Sequence, residues 1–266
     1  MRVQNSLLCR FFSIVLVSQF HLVSTIQADE NIGLEIAKTM KSRESGFDNY
    51  KAEMKMVLVD SGGKETVRLL RVKTREKLGD GNQSIAVFDK PADLKGTAFL
   101  SYTHINKDDD QWLYLPALKR VKRIAVRNKT SPFMGSEFSY EDLASTEVKK
   151  YTYQYVGEDN INDQPSFVIE RFPNDPYSGY SKHKVWVEKE RYIPLKIEYF
   201  DLKNNLRKTL LNTHYKLHLD RFWRAHEMHM QNHISKKSSV LHWNQFKFRQ
   251  PMSEVDFDPK RLKRIR

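Results

Sequence analysis

The stretch YKAEMKMVLVDSGGKETVRLLRVKTREK (residues 50–77) decides the fold. Tyr50, Ala52, Met54, Met56 and Leu58 occupy alternate positions, and Lys51, Glu53 and Lys55 fall between them. A period of two places the first set on one face of a strand and the lysines and glutamate on the other. The glycine pair in DSGGK (60–64) then reverses the chain, and ETVRLLRVKTREK returns as a second strand.

The same grammar runs nearly to the end of the chain. NQSIAVFDKP, GTAFLSYTHI, QWLYLP, KKYTYQYVGE, SFVIERFP, SKHKVWVEKE, IPLKIEYFDL, LRKTLLNTHYKL, FWRAHEMHMQNHI and SSVLHWNQFKF read as strands. GDGN, NKDDD, NINDQP, NDPYSGY, DLKNN and SKKS are the turns between them. The total is about twelve strands with short reversing links, an antiparallel sheet rather than βαβ units. Such a sheet cannot leave an apolar face bare, so it must curl, close or meet a second layer. One amphipathic helix is expected first, over residues 29–45, with Ile32, Ile36 and Met40 in register and Ala37 beside them. Gly46 can end it. A second helical piece is expected near residues 139–145, where Ser139 and Asp142 have the spacing of a capping box.

Residues 1–28 have the parts of a cleaved secretory signal: Arg2 and Arg10, then FFSIVLVSQFHLVSTI, then Ala28 before a polar DEN. The apolar run is too short to span a bilayer comfortably. The single cysteine, Cys9, lies in that segment, so the mature chain, expected as one domain over 29–266, relies on a core and not on disulfides. The net charge is +12. In an exported protein this suits anionic membranes, anionic lipids or acidic partners better than nucleic acid, and it also serves solubility.

The sequence holds no machinery for catalysis, a metal or a cofactor. SGGKET lacks the frame of a phosphate loop, and there is no GxSxG elbow. HEMH (226–229) is one residue short of the zinc-protease motif, and in a strand its two histidines face opposite ways. KDDDQ (107–111) reads as a solvated hairpin tip, without the alternation of a calcium loop. Apolar side chains on strands are abundant instead: aromatics make up 12% of the chain, and Met54, Met56, Met228 and Met230 supply flexible walls suited to variable apolar ligands.

Residues 111–143, QWLYLPALKRVKRIAVRNKTSPFMGSEFSYEDL, resemble the outer-membrane lipoprotein-sorting protein family, the LolA-like proteins often associated with RND-type exporters. The matching positions are Trp112, Tyr114, Pro116, Arg120, Arg123, Ile124, Phe133, Gly135, Ser136, Phe138, Tyr140, Glu141 and Asp142, with Glu137 where the family usually has aspartate. VDFDPKRL (255–262) resembles the family's closing helix. The resemblance implies a mainly β fold: a strongly curved antiparallel sheet forming an incomplete, unclosed β-barrel with a helical lid. It also implies a periplasmic location and an apolar cavity for acyl chains of a lipid or lipoprotein. No catalytic residue comes with it.

On this reading Met54, Met56, Leu58, Trp112, Tyr114, Phe133, Met134, Phe138 and Tyr140 are the cavity or lid candidates, with Gly135 allowing a sharp bend. Lys119, Arg120, Lys122 and Arg123 are the candidates for a partner surface, although alternation divides them between two faces. The expected partners are lipid or lipoprotein acyl chains and an inner-membrane RND-type exporter or outer-membrane acceptor, with the protein itself a monomer. Three functions remain open: a carrier, a non-catalytic accessory subunit docked on an exporter, and a periplasmic enzyme acting on lipid or glycan.

Overall fold

The computed structural model describes residues 29–264. The segment expected to be a secretory signal, with Arg2, Cys9 and Arg10, lies outside the described residues. Helix α1 occupies residues 29–44. The first meander is β1 (Asn49–Val59), β2 (Glu65–Arg75), β3 (Gln83–Lys90), β4 (Ala98–Tyr102), β5 (Asp110–Leu115) and β6 (Arg120–Ile124). The second is β7 (Tyr151–Ile161), β8 (Gln164–Pro173), β9 (Lys182–Glu188), β10 (Pro194–Phe200), β11 (Leu206–His218), β12 (Phe222–Asn232) and β13 (Ser238–Phe248).

All pairings are antiparallel, in the order β6-β5-β4-β3-β2-β1-β13-β12-β11-β10-β9-β8-β7. The two meanders therefore meet at β1 and β13, and the edges β6 and β7 do not pair with each other. The sheet is curved but unclosed. Periodicity supplied twelve of its thirteen strands; the other is β6, five residues whose cations obscure the alternation.

The concave face carries the main core. Met54 and Met56 of β1, Leu70 of β2, Phe88 of β3 and Phe99 of β4 are buried there with Ile169, Val187, Leu210 and Leu241. Helix α1 lies against this face through Ile36 and Ala37. Gly33 allows the contact, because a Cβ there would stand 2.9 Å from the backbone of Gln154 and Tyr155 in β7. The buried stripe is thus Gly33, Ile36 and Ala37, with Met40 half-buried beside it, and Ile32, expected on it, is instead 44% exposed.

The convex face has its own cluster over β3–β6. Ile85, Val87, Ala98 and Leu100 meet Phe257 and Leu262 of the C-terminal segment, with Trp112, Tyr114 and Val121 packed around them. That segment, expected from its resemblance to be a closing helix, folds as two 3-10 turns, Glu254–Phe257 and Pro259–Arg264, and not as an α-helix.

Candidate functional site: an aromatic cavity with a buried cation

Between the edges β6 and β7 the chain must cross the open side of the sheet, and residues 125–150 make that crossing. They go through the concavity. Phe133 and Phe138 are each 1% exposed. The Phe133 ring lies 6.0 Å from that of Phe88 and 5.1 Å from that of Phe99, and the Tyr140 ring lies tilted against Phe99 at 5.4 Å. The sharp bend expected at Gly135 is present: Met134 and Gly135 have φ of +48° and +78°, and the Met134 carbonyl accepts a hydrogen bond from Arg68 of β2.

Polar groups fix the crossing on both meanders. Ser239 of β13 accepts from the Glu137 amide at 3.0 Å, and Asn232 donates to the Glu137 carboxylate at 2.6 Å. Gln111 of β5 donates to the Tyr140 carbonyl at 2.9 Å. Glu141 accepts from Ser178 at 2.5 Å and from the Gly179 amide at 3.0 Å. Burial raises the Glu141 pKa against the pull of Lys129. Burial also opposes the Lys129 charge, but Glu141 and Asp175 outweigh it and hold the lysine's pKa up. Asp142 takes a buried ion pair from Lys208 at 3.3 Å and a hydrogen bond from the Tyr180 hydroxyl at 2.9 Å. Ser139 and Asp142 form the reciprocal bonds of a capping box at 2.7 and 3.2 Å, yet the following residues make only turns, so the helix expected near 139–145 is absent.

The crossing fills the concavity on the β1–β6 side. On the β7–β13 side a cavity of approximately 430 Å3 remains, within the range of small-molecule sites. Its walls come from α1 (Ala37, Met40), from the end of β6 (Ile124), from the crossing (Val126, Val148) and above all from β7–β13: Tyr151, Tyr153, Ile169, Val185, Ile197, Tyr199, Leu210, Tyr215, Met228 and Trp243. Burial raises the pKa of the wall tyrosines Tyr151, Tyr153, Tyr180, Tyr199 and Tyr215, so they stay neutral phenols.

None of the nine cavity or lid candidates lines this space. Met54, Met56 and Leu58 face the concave interior as expected but at its filled end, with Phe133, Met134, Phe138 and Tyr140. Those four belong to the wedge that fills the interior, where tilted and edge-on rings and carboxylate anchors hold it in place. Trp112 and Tyr114 point to the convex face, under the C-terminal segment. The four cations divide as alternation requires. Register sets Arg120 and Lys122 opposite Leu115 and Leu113, and Arg123 opposite Trp112. Arg123 pairs with Asp110, and Lys119 is the left-handed residue between β5 and β6.

The sequence analysis missed Arg171 and His183. Both line the cavity, at 9% and 2% exposure. Their signal was a polar residue at an inward position of an apolar alternation: Phe167, Ile169, Arg171 in β8 and His183, Val185, Val187 in β9.

Histidines elsewhere do not assemble a reactive centre. His104 is held between Asp80 (2.6 Å) and Asp110 (3.2 Å), so both of its ring nitrogens are occupied. His226 and His229 of HEMH point to opposite faces, with His226 against His218 at 3.1 Å. Among the described residues no group of three potential metal ligands converges.

An open antiparallel half-barrel with a helix over its concave face and a cavity inside defines a LolA-like protein. A LolA superfamily protein from Nitrosomonas europaea has the same fold, with a TM-score of 0.68 at 20% identity over 84% of this chain and 96% of its own. A domain from Vibrio parahaemolyticus named for outer membrane lipoprotein sorting is 47% identical, with a TM-score of 0.86 over 88% of this chain and 99% of its own. A DUF1329 family protein from Desulfovibrio piger gives 29% identity and a TM-score of 0.83 over the same shares. A family model described only as an uncharacterized protein matches residues 80–264. No curated protein matches the chain. The chain belongs to the outer membrane lipoprotein-sorting protein family.

Proposed function

We propose that the protein is a non-catalytic periplasmic carrier that shelters acyl chains of a lipid or lipoprotein in the cavity and moves them toward the outer membrane. The observation that carries this reading is the aromatic and aliphatic space of approximately 430 Å3 left inside a sheet that is otherwise filled. Each methylene withdrawn from water gains about 0.8 kcal/mol, so a chain of modest length offsets the cost of leaving such a space unfilled. A sheet with unpaired edges β6 and β7 can widen around cargo without breaking a closed ladder of hydrogen bonds. The cations Lys119, Arg120, Lys122 and Arg123, on and beside edge strand β6, are where an acidic exporter or acceptor docks in this reading.

Lipid extraction and mass spectrometry of the protein purified from its native compartment, with titration of a fluorescent fatty acid, test the proposal. Co-purified lipid and saturable binding are expected, and Met228→Trp, which takes up part of the space, should weaken the binding while the protein stays folded. An empty protein that binds no acyl probe would overturn the reading.

A further inference from the structure

A row of side chains crosses the concave face along the sheet register. Tyr153 of β7 stands opposite Arg171 of β8, Arg171 opposite His183 of β9, His183 opposite Tyr199 of β10, Tyr199 opposite Lys208 of β11, and Lys208 opposite Asn232 of β12. The crossing segment supplies an acid to one end of this row: Asp142 to Lys208 and Glu137 to Asn232. It supplies none to Arg171. There it offers the Thr146 hydroxyl, which accepts from Nη1 at 3.2 Å.

The other partners of Arg171 are uncharged as well. Nε donates to His183 Nδ1 at 3.0 Å, and the guanidinium lies 4.9 Å from the centre of the Tyr151 ring. Among the described residues no carboxylate pairs with it. A buried cation is costly unless an anion accompanies it, so its acid partner is to be sought outside the chain.

His183 points the same way. Its Nδ1 accepts from Arg171, so a neutral ring must carry its proton on Nε2. Burial and the neighbouring guanidinium lower its pKa well below the ordinary value, so the ring is neutral. Nε2 is then a buried donor, and it has no partner. Two more unpartnered buried polar atoms, Asn212 Oδ1 and Trp243 Nε1, belong to residues of the same cavity. Unmet donors and acceptors of this kind are expensive in an apolar wall and are characteristic of a site awaiting a polar group. Arg43, Arg221 and Arg224, which also line the cavity, pair only with rings or backbone carbonyls, whereas of the lining acids Asp109, Glu141, Asp142 and Asp175 each have a lysine partner and Glu44 has none among the described residues, so the charges left unpaired favour an anion.

We infer that the cargo is an amphiphile with an oxyanion head, a carboxylate or a phosphate, and that Arg171 with His183 binds this head inside the cavity while the tyrosine and aliphatic walls cover the chain. The inference rests on the carrier reading and narrows its cargo. It sets this protein apart from a carrier that recognises acyl chains alone.

The test uses three ligands with one chain length: dodecanoate, dodecyl phosphate and dodecanol, each displacing the neutral dye Nile red from the full mature protein. At least one oxyanion should bind roughly tenfold or more tightly than dodecanol, the size of one charge-assisted interaction. The tighter of the two oxyanions identifies the head group. Arg171→Gln should remove the advantage of the oxyanions over dodecanol, and His183→Phe should reduce it. The wild-type comparison stands even if a variant does not fold. Equal binding of all three ligands would overturn the inference and leave the carrier reading intact, as would an advantage that survives Arg171→Gln. Binding of none would overturn both.

Discussion

The two halves of the concave face are made of similar strands and finished differently. On the β1–β6 side the inward positions hold Met54, Met56, Leu70, Phe88 and Phe99, and Phe133 and Phe138 of the crossing fill the space between them. On the β7–β13 side the inward positions hold Tyr151, Tyr153, Arg171, His183 and Tyr199, and no segment fills the space before them. Burial alone therefore does not distinguish scaffold from site, since residues of both halves are nearly inaccessible. What differs is the other side of the contact: protein in one half, a void in the other.

That difference sets the largest expected effect. Phe133→Ala should destabilise the protein by about 3–5 kcal/mol, the usual cost of removing a buried phenylalanine from a filled core. Met228→Ala, whose side chain already borders empty space, should cost no more than about 1–2 kcal/mol, since less contact is lost and the surface is half-solvated. Urea unfolding of both variants measures the gap. Equal losses would show that the two halves are packed alike.

The next effect lies where the crossing grips the second meander. Lys208 and Asp142 have side chains only 7% and 1% exposed. Lys208→Met leaves the Asp142 carboxylate buried without its cation and should cost about 3 kcal/mol or slightly more. The double variant Lys208→Met, Asp142→Leu should recover most of that loss, because both charges leave together. A double variant as unstable as the single one would mean that the pair does more than cancel its own charge, for instance by holding Tyr180, whose hydroxyl also bonds both partners.

The filled half was the more legible in the sequence. Alternation in β1 set Met54 and Met56 on one face, which the structure places on the concave side, and the family-like run at 131–143 marked the crossing as special. Alternation could not say that the crossing goes through the sheet, because that depends on β6 and β7 lying at opposite edges, a property of the strand order and not of any segment. Phe133 and Phe138 therefore looked like a rim although they are wedged in the core. The cavity half was legible in its strands and hidden in its role. A tyrosine or a histidine at an inward position reads as ordinary core until the folded chain leaves a void before it. Arg171, a cation breaking the Phe167, Ile169 alternation, and Lys208, a cation before Leu210 in β11, were the visible signals, and such residues are weak signals without their neighbours.

The smallest effect separates the halves by pH. His183 is packed by Tyr151, Tyr180 and Tyr199 and faces the Arg171 guanidinium, and burial with that cation keeps the ring neutral. In the unfolded chain the same imidazole protonates near pH 6.5. Below that pH the unfolded state binds a proton that the folded state refuses, so the contribution is complete above the unfolded pKa and is lost as pH falls. The slope is at most about 1.4 kcal/mol per pH unit. His183→Phe should lower stability at every pH by removing the acceptor for Arg171, yet its stability should fall less steeply than that of the wild type between about pH 6.5 and 5. Phe133→Ala, which touches no titrating group of the cavity, should shift the whole curve downward without changing its slope. Some slope will remain in His183→Phe, because burial also depresses His218 and His226, so the measured quantity is the difference in slope between variants. Parallel curves for His183→Phe and the wild type would show that the buried imidazole is not held neutral, and with that the donor assigned to Nε2 would lose its basis.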